Sequence, residues 1–86
     1  MNLVDGEIDL HSLKPVEIRL KLLKFLDRGY AEYWRKVRIV HGVGRGVAKS
    51  RVRKILAETD YIESFKSAGW DEGGKGATVA TYRRSY

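Results

Sequence analysis

Cysteine is missing from the 86 residues of this chain. That excludes a disulfide framework, a thiolate nucleophile and any Cys-ligated zinc or iron–sulfur centre. Proline occurs once, and histidine only as His11 and His41, so any imidazole chemistry rests on those two rings. No apolar run approaches the ~18 residues that span a bilayer, and no basic region leads into an apolar one at the N-terminus. The expectation is a cytoplasmic protein without a membrane partner. Acids are also in the minority, 11 against 17 Lys and Arg for a net charge of +6, which favours nucleic acid, ribosomes or another anionic surface as partner. A chain this short buries only about 60 to 65% of its unfolded surface, so residues 1–86 are expected to form one domain with room for little more than one site.

What is present reads in order as β-α-β-α-β-β. Glu7-Ile8-Asp9-Leu10-His11 alternates with period two, turning Ile8 and Leu10 one way and Asp9 and His11 the other. Pro15 suits the first turn of a helix and Glu17 its positive end. The helix is expected to run to about Tyr33, with Val16, Leu20, Leu23 and Tyr30 on one apolar stripe, widened by Ile18, Leu22, Phe25 and Leu26. Val37 to Val40 is a short β-branched strand. Val47 to Glu58 reads as a second helix with Val52, Ile55 and Leu56 on its apolar side. Tyr61 to Phe65 and Ala77 to Tyr82 complete the strands, separated by the glycine-rich loop Ala68 to Gly76. No internal repeat or dividing linker is apparent.

The stretch His41-Gly42-Val43-Gly44-Arg45-Gly46 joins the second strand to the second helix. Glycines at alternate positions permit positive φ and close approach by a partner. Such a turn aims the free N–H groups of the following helix, and the positive end of its dipole, at an anion. From Arg35 to Lys54 there are eight Lys or Arg and no acid. A purely structural glycine turn would not need that charge, whereas a phosphate site would.

A strand-helix-strand unit brings the carboxyl ends of both strands to one edge of the sheet, where ligands of open α/β sheets bind. Asp9 and His11 end the first strand; His41 and the glycine turn end the second. Histidine titrates nearest neutral pH and can move a proton during phosphodiester cleavage. Asp9 could orient His11 or share a metal ion with it, and His41 could act in catalysis or bond the backbone of its own turn.

Ile8-Asp9-Leu10-His11, His41-Gly42-Val43-Gly44-Arg45-Gly46 and Gly73-Gly74-Lys75-Gly76-Ala77-Thr78 resemble, in this order and spacing, the three signatures of the Smr (small MutS-related) domain. The similarity covers about Glu7 to Tyr82. It implies an α/β (α+β) two-layer sandwich with a mixed four-stranded sheet and two helices, similar to the C-terminal domain of translation initiation factor three. It also implies an endonuclease that nicks DNA or cleaves RNA, of the kind tethered to MutS-like ATPases acting in DNA repair or recombination or on stalled ribosomes. By the same resemblance, Asp9 and His11 match the family's acid and histidine, Gly42, Gly44 and Gly46 its loop, and Gly76 and Thr78 its third motif. Ser12 stands where the family usually has glycine.

Two functions therefore fit. In the first, phosphate sits on Gly42, Gly44, Arg45, Gly46 and the start of the second helix; Lys49, Arg51, Arg53 and Lys75 guide the backbone, and Asp9, His11 and His41 perform the chemistry. RNA would need no metal, because its 2′-OH is an internal nucleophile, whereas DNA would call for water and Mg²⁺ or Mn²⁺ at Asp9. In the second, the same basic face binds nucleic acid or the ribosome without cleavage. Dinucleotide binding is disfavoured, since Val47 breaks G-x-G-x-x-G. Trp34, Trp70, Tyr30, Tyr33 and Tyr86 could stack on unpaired bases, but packing is the expectation for each.

Overall fold

The computed structural model describes residues 4–44, 46–70 and 74–84. The elements are β1 (Gly6–Asp9), α1 (Pro15–Ala31), β2 (Lys36–Val40), α2 (Val47–Glu58), β3 (Ile62–Ser67), a short 3-10 turn (Gly74–Gly76) and β4 (Ala77–Tyr82). The four strands form one mixed sheet in the order β1-β2-β4-β3. The β1–β2 pair is parallel, as a helical crossover demands, and β4 runs antiparallel to both its neighbours.

Both helices lie on one face. Ile18, Leu22 and Leu26 from α1 and Val52, Ile55 and Leu56 from α2 share a single buried cluster with Val37, Ile39, Ile62, Ala80 and Tyr82 of the sheet. The architecture is the expected two-layer sandwich. Alternation along the strands turns Glu7 and Asp9, Lys36 and Arg38, and Lys66 to the other face, where Arg38 donates to Glu7 at 2.7 Å.

The stripe on α1 differs from the expected one. Val16 and Leu20 are 83% and 60% exposed, and the buried line is Ile18, Leu22, Leu26 and Gly29. Apolar residues occupy a wide arc of this helix, and only contact with α2 and the sheet selects the inward edge. The helix begins as expected, with Pro15 in the first turn and the Lys14 N–H donating to Glu17 Oε1 at 3.0 Å. It stops at Ala31, two residues early. Tyr33 adopts φ 62°, the Trp34 N–H returns to the Gly29 carbonyl at 2.9 Å, and the Arg84 guanidinium donates to the carbonyls of Gly29, Tyr30 and Trp34. These bonds satisfy the C-terminal carbonyls of α1 and end it.

Two strands also shift. β1 closes at Asp9, so His11 lies in the turn after the strand rather than on it. β3 reaches Ser67, and its register slips between Ile62 and Ser64, the mark of a bulge at Glu63.

Candidate active site

Leu10 donates its N–H to the Val40 carbonyl at 2.7 Å, the last rung between β1 and β2. The turn after β1 and the glycine loop after β2 therefore leave the sheet side by side. Asp9 makes the first of these turns. Its Oδ1 accepts the backbone N–H of His11 at 3.0 Å and the Nδ1–H of the same residue. One carboxylate oxygen thus turns the chain and fixes the imidazole, leaving Nε2 as the free basic nitrogen. Both side chains are more than half exposed. The hydrogen bonds from His11 hold the Asp9 carboxyl below the usual carboxylate range, so Asp9 is an anion at neutral pH.

The glycine loop lies against this pair. Gly42, Gly44 and Gly46 all have positive φ, at 81°, 36° and 82°. A Cβ on Gly42 would stand 3.3 Å from the His11 Cβ, so glycine there permits close approach of the two turns. Gly46 is the N-cap of α2 and accepts the first intrahelical bond, from the Ser50 N–H at 2.9 Å. The first-turn donors of Val47, Ala48 and Lys49 lie ahead of it, without acid in that turn.

His41 is placed differently from an exposed proton-transfer group. It is 3% exposed, its Nδ1 lies 2.9 Å from the Gly42 carbonyl and its Nε2 2.9 Å from Thr78 Oγ1. A carbonyl only accepts, so Nδ1 carries the proton and Nε2 accepts from the Thr78 hydroxyl. Burial pushes the His41 pKa down, reinforced by Lys49 and Arg53, and the ring is neutral. Neither nitrogen is left over for a substrate.

The third motif enters as structure around this ring. Gly76 supplies its carbonyl to the N–H groups of both His41 and Gly42, each at 2.9 Å, and Thr78 is fully buried beneath them. The Thr78 hydroxyl, spent on His41, presents no donor to a phosphate outside. Among the expected basic contacts, Arg51 faces solvent and lines a shallow groove with Gly46, Val47, Ser50 and Lys54. Lys49 is half-buried and Lys75 exposed. Arg53 is turned back: it donates to Ser67 Oγ at 2.8 Å and lies over the Phe65 ring, bracing α2 against β3. Arg45, Gly73 and Tyr86 lie outside the described residues. Among the described residues no three His, Asp or Glu side chains gather as metal ligands.

Sequence reasoning missed Ser50 and Lys54 on the groove; α2's basic run held a signal for Lys54 and none for Ser50. It also expected packing for all its aromatics. Trp34 packs against Phe25, and Tyr30 stacks on Tyr61, but Tyr33 is 79% and Trp70 93% exposed.

Fold and site together define a small two-layer α/β domain in which an Asp-oriented histidine abuts a glycine loop at the carboxyl edge of the sheet. The Smr domain model matches residues 8–83, and the chain belongs to the Smr domain family. It is 36% identical over 74 residues to an endonuclease MutS2 of Gemmatimonas aurantiaca, covering 86% of this chain and 9% of that protein. The corresponding protein of Aquifex aeolicus is 37% identical over 67 residues, or 77% of this chain and 9% of its own. The chain thus spans about a tenth of the length of these curated relatives. Among solved structures, the Smr domain of Thermus thermophilus MutS2 superposes with a TM-score of 0.88 at 33% identity, covering 92% of this chain and 99% of that one. YdaL, a stand-alone small MutS-related protein from Escherichia coli, gives 0.87 at 27%, covering 91% and 64%. No helix among the described residues is long and apolar enough to cross a membrane.

Proposed function

We propose that this domain is a nucleic-acid endonuclease in which His11 moves the proton and Asp9 orients it. The observation that carries the reading is the His11–Asp9 pair itself, exposed to solvent and pressed against Gly42 of the glycine loop. The names of the MutS2 relatives and the chain's charge of +6 support the same class. A backbone phosphate would lie on the first-turn N–H groups of α2 and the loop before it, with Arg51 and Lys54 drawing the flanking phosphates along the groove. His41, Thr78 and Gly76 are positioning residues that hold the loop in shape.

Among the described residues no second carboxylate joins Asp9 in a group of metal ligands, and one Asp9 oxygen is taken by His11. RNA is the substrate whose cleavage the chain's own residues complete: His11 Nε2 takes the 2′-OH proton, the 2′-oxygen attacks the adjacent phosphorus, and the P–O5′ bond breaks. The departing oxygen takes a proton from water, leaving a 2′,3′-cyclic phosphate and a 5′-hydroxyl. Tethering to a MutS-like ATPase would deliver this domain to its substrate.

The test is cleavage of single-stranded RNA, structured RNA and supercoiled plasmid, each with EDTA or Mg²⁺. His11→Ala should lower the rate by about 10²- to 10⁴-fold, with affinity for the polynucleotide kept. Asp9→Asn should cost less, because the amide oxygen can still accept the backbone N–H. Binding without cleavage by the wild-type protein would make it a binding module.

A further inference from the structure

The groove that opens at Gly46, Val47 and Ser50 does not end on α2. Arg51 and Lys54, which line it, also line a second hollow sunk between the two helices, together with Ile55 of α2 and Pro15, Ile18 and Arg19 of α1. Two shared side chains make the hollows one continuous track. Ile18 and Ile55 are buried and form its floor, while Arg19, Arg51 and Lys54 stand exposed around it. Both helices start at the carboxyl edge of the sheet, because each follows one of the parallel strands β1 and β2. The track therefore leaves the glycine loop at Gly46, covers about 12 Å of helix to Lys54, and crosses onto α1.

Among the described residues no acid lines either hollow. Glu17 and Glu58 are the acids on the adjoining turns, and both are engaged at the margins. Glu17 accepts the Lys14 N–H at 3.0 Å, and Glu58 lies 3.8 Å from Arg19, with both of those side chains more than half exposed. The hollow between the helices holds about 130 Å³, less than the roughly 300–1,000 Å³ that encloses a small molecule. Three cations brought together from two helices over an apolar floor suit instead a chain with regularly spaced negative charges, its phosphates on the cations and a sugar face on the isoleucines. Among the described residues no aromatic, Asn or Gln side chain lines the track, so it offers no platform for stacking bases.

We propose that the cleft between α1 and α2 carries the sugar–phosphate backbone of the bound nucleic-acid strand beyond the cleaved bond, with Arg19 as a phosphate contact and Glu58 as the counter-ion that the phosphate displaces. The proposal rests on the endonuclease reading above and adds the path of the substrate. Contact of this kind is independent of sequence. Phosphates of one strand recur about every 3.4 Å along a duplex axis, so a substrate running several nucleotides past the cut gains from the track and a dinucleotide does not.

The salt dependence of binding tests this, with an oligouridylate and a blunt DNA duplex as probes. Each phosphate neutralised contributes about 0.7 to the slope of log affinity against log salt for a single strand and about 0.9 for a duplex. Arg19→Gln should flatten the slope by that amount, which weakens binding about 5- to 8-fold at 0.1 M salt and not at 1 M. Lys36→Gln removes the same charge from the opposite face of the sheet and should leave the slope alone. Glu58→Gln frees Arg19 and should tighten binding at low salt by up to the same factor. The exposed Arg19–Glu58 pair adds little to the fold, so melting temperatures should hold. A wild-type slope in Arg19→Gln, or an equal drop in Arg19→Gln and Lys36→Gln, would overturn the track and leave the endonuclease reading intact. Absence of binding to any polynucleotide by the wild-type protein would overturn both.

Discussion

The Thr78 hydroxyl and the His41 Nε2, 37 positions apart in sequence, meet at 2.9 Å inside the protein and join the root of the glycine loop to β4. Thr78→Val keeps the shape and removes the donor, leaving a buried ring nitrogen unpaired. Such a group costs ~1–3 kcal/mol, which in a domain of this size lowers the melting temperature by about 4–8 °C for each kcal/mol. Thr78→Ser, which keeps the hydroxyl, should lose less. Calorimetry on the pair separates the hydrogen bond from the packing of the methyl group.

The same ring makes stability depend on pH. The folded protein holds His41 below its ordinary pKa of 6.5, so in the interval between the two values the unfolded chain binds the extra proton. Stability from this group is complete above about pH 6.5 and falls as pH drops below it towards the folded-state value. Lys49 and Arg53 act in the same direction, each disfavouring the cation. Urea unfolding at stepped pH should show the midpoint declining below pH 6.5, and His41→Gln should flatten that limb.

Helix propensity and packing give opposite signs at Gly29. In an exposed helix, alanine in place of glycine gains ~1 kcal/mol. Here the new Cβ would fall 2.2 Å from the Tyr82 hydroxyl oxygen and 2.5 Å from Trp34 Cε3, and that hydroxyl donates to the Leu26 carbonyl at 2.8 Å. Overpacking costs about 1–3 kcal/mol. Gly29→Ala should therefore destabilise, measured by denaturant midpoint.

Gly42 and Gly44 have positive φ alike but different surroundings. At Gly44 nothing lies within 4 Å of an added Cβ, whereas at Gly42 the His11 Cβ stands at 3.3 Å. Both alanine variants carry left-handed strain of ~1–2 kcal/mol. Only Gly42→Ala should also push the imidazole away, so its cleavage rate should fall well below that of Gly44→Ala at matched stability and matched affinity for RNA.

On α1, Leu20→Lys should change stability by no more than ~0.5 kcal/mol, since the side chain is 60% exposed. Leu22→Ala, fully buried, should cost about 2–5 kcal/mol. Unfolding curves of the two variants check which stripe faces inward.

That contrast shows where the sequence was readable. The element order, the extent of β4 and the apolar face of α2 at Val52, Ile55 and Leu56 follow local patterns, and the structure repeats them. The inward edge of α1 does not, because Val16 and Leu20 are as apolar as Ile18 and Leu22 and only tertiary contact chooses between them. Asp9 and His11 sit two residues apart, so their meeting was visible from spacing. The place of His41 was not: its second partner lies on a strand that closes the sheet from far along the chain. The exposure of Trp70 escaped as well, since an aromatic beside glycines looks the same whether it anchors a loop or projects from it.

The sheet order β1-β2-β4-β3 places the last strand of the chain between its second and third. Until β4 inserts, β3 has no ladder partner and β2 has only β1. The carbonyl of Gly76 and the hydroxyl of Thr78 arrive with that strand, and the glycine loop has neither anchor before then. Closure of the sheet and shaping of the loop go together, and a chain truncated before Gly76 would carry both histidines but neither anchor of the loop around them. For the proposed endonuclease, the site would take shape only once the whole sheet is assembled.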